Sequence, residues 1–374
     1  MLQIEQPFHG AVLNRRNGRE VEGGLEIAVT GAVPEGQAVS VNGAPARVRG
    51  GRFQAEIVLR QPETDLVVAS RGAQGACEHR VRVVWDRHSR PRYRFSIDDN
   101  VFFLRDLAAK RPASIFENFY LAFLRDMHTK YGTRFSINLF YTTPEKDFTL
   151  DQFPDAWRGE WAENADWLKL TFHSHGEFPD RPYQHAKAEK LARDYDRLAE
   201  QAQRFAGEAS WVPPTVIHWG MVHPNAMRAL VERGVTALSG FFMPDTGGTY
   251  TTEEESTVDR PAFRYDVNYW LDNRRSEYLV HHDAWKDFET GIVYSKADIV
   301  CNNCPVEKVA PTLEAVVANP DTAEILDLFT HEQYFWPFYH NHRPDHMARC
   351  EAAIRFCTER GYKPVLFNEG LLGG

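Results

Sequence analysis

Arg94-Phe-Ser-Ile-Asp-Asp-Asn100 is an apolar-flanked, strand-like run that ends abruptly in two carboxylates, about a quarter of the way along the chain. Neighbours on a strand point to opposite sides of the backbone, so one acid could hold a cation while the other handles a proton. The same two residues also fit a capping role, with Asp98 closing a turn and Asp99 opening the helix after it. What lies on either side decides between these readings.

Upstream, residues 1–88 read as short alternating strands near 24–30, 38–41, 51–59, 65–69 and 78–84, with turn residues between them. That spacing predicts a small antiparallel sandwich, and Asn42-Gly43 is a hairpin signal because both residues tolerate positive φ. The segment resembles the immunoglobulin- or fibronectin-like modules appended to bacterial carbohydrate enzymes. It carries no catalytic constellation, so it reads as a docking or spacer module.

Downstream of a polar linker at 85–92, strands alternate with helices. Strands are expected at 93–97, 133–141, 168–172, 215–218, 235–242, 292–300, 324–330 and 364–367. Helices are expected at 113–131, 186–205, 225–233, 307–318 and 344–360. Residues 243–290 break the pattern and read as an elaborated loop region. The expectation is an α/β chain, with a (β/α) barrel of seven or eight units over roughly 285 residues, 89–374, following the sandwich.

A formal charge of -9 with mixed signs throughout argues against nucleic acid, which calls for a basic face. No apolar run reaches membrane-spanning length, and the first residues lack a signal-peptide pattern. Five cysteines, an odd number in a large chain, fit a reducing compartment, so a cytoplasmic location is expected.

In such a barrel the working residues gather at the C-terminal ends of the strands. Four clusters fall there: Asp98-Asp99, His173-Ser-His175-Gly-Glu177, Ile217-His218-Trp219 and Thr330-His331-Glu332. Two imidazoles and a carboxylate with open positions are a usual catalytic set for a divalent cation, zinc above all. His173 and His175 would share a face on a regular strand, roughly 7 Å apart at Cα. A bound cation would lower the pKa of its water, and a second carboxylate could then take the proton. Trp157, Trp161, Trp167, Trp219, Tyr334, Phe335 and Trp336 are aromatic candidates for the barrel mouth, where rings can stack on a sugar.

Ser96-Ile-Asp98-Asp99, His173-Ser174 at the third strand and Leu326-Asp-Leu-Phe-Thr-His331 near the end resemble the polysaccharide deacetylase family over about residues 93–370. The resemblance implies a distorted (β/α)7 barrel and a metal-dependent hydrolase that removes N- or O-acyl groups from carbohydrate. It makes Asp98 the catalytic base, Asp99 and His173 metal ligands, and His331 the general acid. The chain departs from the pattern in three places. The position four after His173 is Glu177 instead of histidine, so His175 or His218 must supply the second imidazole. Val212-Pro213-Pro214 lacks the arginine that orients the base, and Asn100 stands where glycine is usual. Glu177, Trp219, Glu332, Tyr334 and Trp336 are expected to meet the acylated sugar.

Two other readings stay open on the sequence. The barrel could cleave glycosidic bonds with Asp98, Glu177 and Glu332 as acid and base candidates. It could also bind carbohydrate without turning it over.

Overall fold

A computed structural model describes residues 1–72, 75–243 and 267–373. Part of the expected loop region at 243–290 therefore lies outside the described residues.

The N-terminal strands form two five-stranded sheets. One runs in the order Gln3–Gln6, Gly24–Ala32, Arg52–Leu59, Arg47–Arg49, with Arg19–Val21 added to Gly24–Ala32. The other runs Val12–Leu13, Gly75–Trp85, Glu63–Gly72, Ala38–Val41, Ala44–Pro45. Alternation explains them: Leu25, Ile27, Val29 and Phe53, Ala55, Ile57, Leu59 are buried while the residues between them are more exposed. Asn42 and Gly43 have φ of 47° and 82° and join Val41 to Ala44, as their left-handed tolerance predicts.

The rest of the chain is mixed α/β. Five strands lie parallel in the order Leu168–Ser174, Phe135–Phe140, Arg92–Asn100, Ile325–His331, Ile299–Val300, and Lys363–Pro364 pairs with the start of Arg92–Asn100. Every residue of Arg92–Asn100 and Phe135–Phe140 is buried, the signature of strands covered on both faces. A separate three-stranded sheet holds Ala237–Gly240 parallel to Val293–Lys296, with Ala284–Lys286 antiparallel. Among the described residues, strand pairing closes no barrel.

The gap between the two sheets lies at the expected strand 215–218. Pro213 and Pro214 have no N–H to donate there, and the segment keeps single contacts, from Val212 N to Leu170 O and from Ser239 N to Thr215 O. It then turns at His218–Gly220. The expected helix 113–131 begins later than the periodicity predicts, and a helix not expected from the sequence precedes it. Phe102–Lys110 follows the first central strand directly and stops at Arg111, whose φ is 51°, ahead of Pro112. A second helix, Phe119–Tyr131, starts on the Asn118 side chain and ends at Gly132.

No helix among the described residues is long and apolar enough to cross a membrane.

Candidate metal centre

Two bulges build the site. Along the strand pair, Ile97 lies opposite Ile137 and Asn100 opposite Leu139, so Asp98 and Asp99 carry one residue more than the partner strand. Asp99 takes the extra twist with φ of 62°, a left-handed conformation that aspartate tolerates better than most residues. Alternation is broken, and both acids line the same cavity, contrary to the expectation that they face opposite sides. Asn100 braces the bulge: its Nδ2 donates to the Ile97 carbonyl at 2.6 Å, and its Oδ1 accepts from the Tyr120 hydroxyl at 2.6 Å. Glycine could make neither bond.

The second bulge is at His173, which stands between Phe172, opposite Leu139, and Ser174, opposite Phe140. It turns His173 into the cavity and undoes the shared face expected for His175. His175 lies outside the cluster: its ring stacks on Tyr141 at 5.2 Å, and burial lowers its pKa. The second imidazole comes from His218, brought in by the turn after the prolines.

Asp99, His173 and His218 are all buried and meet as a triangle. Asp99 Oδ1 is 3.1 Å from His173 Nε2 and 3.3 Å from His218 Nδ1, and the two nitrogens are 3.3 Å apart. Ligands about 2.0 Å from a tetrahedral zinc lie about 3.3 Å from one another, so the three atoms have the spacing of one such face. No good hydrogen bond satisfies Asp99 Oδ1. His173 Nδ1 lies 3.4 Å from the Val216 carbonyl, an outer contact that leaves Nε2 free to ligate. Burial opposes ionisation of Asp99, but the two imidazoles and the more distant His331 outweigh it and hold the carboxyl well below its usual range.

The cavity measures about 320 Å³. Asp98, Asp99, His173, Glu177, His218, Trp219 and His331 line it together with the apolar Val216, Phe241, Val300 and Phe329. Asp98 accepts from the amide of Asn138, a residue that carries no signal in the sequence. His331 sets its Nδ1 2.9 Å from Asn302 Oδ1 and its Nε2 4.0 Å from Asp99 Oδ2. Gln333, also unforeseen, donates from one Nε2 to Asp99 Oδ2 at 2.9 Å and to Glu177 Oε2 at 3.2 Å. Burial and the charge of Asp99 push the Glu177 carboxyl up to about 7.

Of the expected sugar contacts, Trp219 lines the cavity and is 40% exposed, with the Arg181 guanidinium 4.0 Å over its ring. Tyr334 is absent from the wall and sits behind His331, at 6.0 Å between rings. Glu332 and Trp336 belong elsewhere. The Glu332 carboxylate is fully buried and accepts from the N–H groups of Val101, Phe102 and Phe103 at 2.7, 2.8 and 2.6 Å, and from Trp336 Nε1 at 3.0 Å. It caps the Phe102–Lys110 helix and has no capacity left for substrate. Trp157, Trp161 and Trp167 are buried packing residues; Trp167 stacks on His128 at 4.5 Å.

No family model matches the chain, and no curated protein does. Among solved structures, a candidate alpha-galactosidase from Bacteroides fragilis NCTC 9343 aligns over 95% of this chain and 78% of its own, at 13% identity and a TM-score of 0.27. That likeness is too low to carry fold or function.

Proposed function

We propose that the protein is a metal-dependent hydrolase of the polysaccharide deacetylase type, acting on acylated carbohydrate. On this reading, residues 1–88 are an immunoglobulin-like module and 89–374 an open, distorted (β/α)7 barrel. The observation that carries the proposal is the buried Asp99, His173 and His218 triangle beside a further carboxylate, Asp98, and a further imidazole, His331.

The three triangle residues would hold a divalent cation, zinc by donor set and spacing. Such an ion supplies Lewis-acid polarisation of an acyl carbonyl and a more acidic water. Asp98, held by Asn138, takes the proton of the attacking water. His331, whose Nδ1–H donates to Asn302 Oδ1, presents Nε2 to the cavity and, in its imidazolium form, gives the Nε2 proton to the departing sugar oxygen or nitrogen. Glu177 and Trp219 border the space left for substrate. The loss of Glu332 to helix capping removes one of the carboxylates that glycosidic cleavage would call on.

Acetate release from acetylated chitooligosaccharides and acetylated xylan tests the proposal. Release is expected from the zinc-loaded protein, abolished by chelation and lowered roughly 100-fold or more by Asp98→Asn. Turnover that resists exhaustive chelation, or no release by loaded protein, would overturn it.

A further inference from the structure

A second cleft, of about 200 Å³, opens where the N-terminal sheets meet the α/β body. Its walls come from Glu5, Phe8 and His9 near the N-terminus, from His79 and Arg80 on Gly75–Trp85, and from Asp272, Arg274, Arg275 and Trp285 on the body. The junction beneath it is tightly made. Trp285 Nε1 donates to the His9 carbonyl at 2.6 Å, Phe8 stacks on Tyr278 at 4.7 Å, and a Cβ at Gly10 would lie 2.2 Å from the Trp285 ring nitrogen.

The charges in this cleft do not balance. Both acids are engaged: Glu5 by Arg52, and Asp272 by Arg275 at 3.2 Å as well as by capping the Arg275 N–H. Arg80 only approaches Asp65, at 3.5 Å. Arg274 lies 5.2 Å over the Phe8 ring and has no carboxylate partner among the described residues. The two imidazoles add donors. His9 Nδ1 accepts from the Arg82 N–H at 3.1 Å and His79 Nδ1 from the Ile4 N–H at 3.2 Å, so each neutral ring carries its proton on Nε2. Burial first, then Arg275 and Arg82 for His9 and Arg274 for His79, depress both rings below the usual imidazole value. A hollow with unmatched guanidinium, two imidazole N–H donors and two aromatic walls suits an oxyanion, which arginine recognises through its planar fork.

We propose that this junction cleft is a second binding site, for a small ligand bearing a carboxylate or phosphate oxyanion. It is built by the N-terminal sheets and the body together, and it shares no residue with the metal cluster. The N-terminal region is thereby part of a ligand site as well as a support.

Titration of the full chain, dialysed free of metal, with sodium phosphate, sodium glucuronate and glucose tests this. Calorimetry should show one-to-one binding of at least one of the two anions, with glucose at least about tenfold weaker. Which anion binds separates a phosphate from a sugar-acid source. The imidazole resonances of His9 and His79 should move with the same saturation curve. Arg274→Gln should weaken binding about tenfold or more, and Arg274→Lys, which keeps the charge, should retain part of it. Neither anion binding, or unchanged affinity in Arg274→Gln, would overturn the proposal.

Discussion

Asp99 is the residue on which the site depends, because its positive φ brings two adjacent carboxylates to one cavity. Asn100 and Asn138 hold that geometry with amide groups. Glu177 completes the acidic side at a distance, tied to Asp99 through Gln333. Burial and the nearby Asp99 push its carboxyl up to about 7, against an ordinary value of 4.5. The folded state therefore binds this proton more tightly than the unfolded chain, and stability of the metal-free protein should fall as pH rises from about 4.5 to about 7. Glu177→Gln should flatten that fall in denaturant titrations at pH 5 and pH 7.5; an unchanged slope would mean that Glu177 is not the titrating group. The acids and His173 were visible in the sequence as residue types at strand ends. His218 was visible only as one of two choices, because no residue pattern announces a bulge. Gln333 carried no signal, since a neutral amide between two acids is recognisable only once the chain has folded.

At the scale of elements, most helices and strands follow the hydrophobic period to within a few residues. Ala188–Ala206, with Leu191, Tyr195, Leu198, Ala202 and Phe205 buried on one stripe, is the clearest case. The misplaced pieces have local causes: two prolines that cannot donate, and a left-handed residue before Pro112. For Glu332 the sequence shows nearness to His331 and not the direction of the side chain, which turns to the start of the Phe102–Lys110 helix. Replacing Glu332 with alanine orphans three buried backbone N–H groups and the Trp336 indole N–H, so Glu332→Ala should cost about 3 kcal/mol or more of unfolding free energy. A substrate contact would instead raise KM at unchanged stability. The interior pair of Arg94 Nη1 and Asp327 Oδ2, 3.1 Å apart and fully buried, makes a second prediction at this scale. Asp327→Ala leaves a guanidinium unpaired in the core and should cost about 3–5 kcal/mol by chemical denaturation. A loss below about 1 kcal/mol would mean that water reaches Arg94.

Over the whole molecule, the described residues fasten the N-terminal sheets to the body around the Trp285 junction, where Lys286 also pairs with Glu63 at 2.7 Å, and around the buried carboxylate of Glu324, where Asn17 Nδ2 donates to Asp321 Oδ1 at 2.8 Å. Glu324 accepts from Arg15 at 3.2 Å, from Arg16 at 2.5 Å and from the Ser89 hydroxyl. Glu324→Ala should loosen this contact, raising hydrogen exchange in residues 14–17 and 86–90 while leaving the strand Phe135–Phe140 protected. Equal protection in the variant would mean that Glu324 does not carry the docking. The change of period near residue 88 lies where strand pairing passes from the N-terminal sheets, ending with Gly75–Trp85, to the parallel sheet that holds Arg92–Asn100. The pairing between the parts was not legible in the sequence, because Arg15 and Glu324 are more than 300 positions apart and bear no shared pattern.

Metal content of the purified protein and of four single variants tests the central claim, that one divalent cation is held by Asp99, His173 and His218. Elemental analysis should find one equivalent in the unsubstituted chain and in His175→Ala, and a large loss in Asp99→Ala, His173→Ala and His218→Ala. Full metal content in the last three, or its loss in His175→Ala alone, would contradict it.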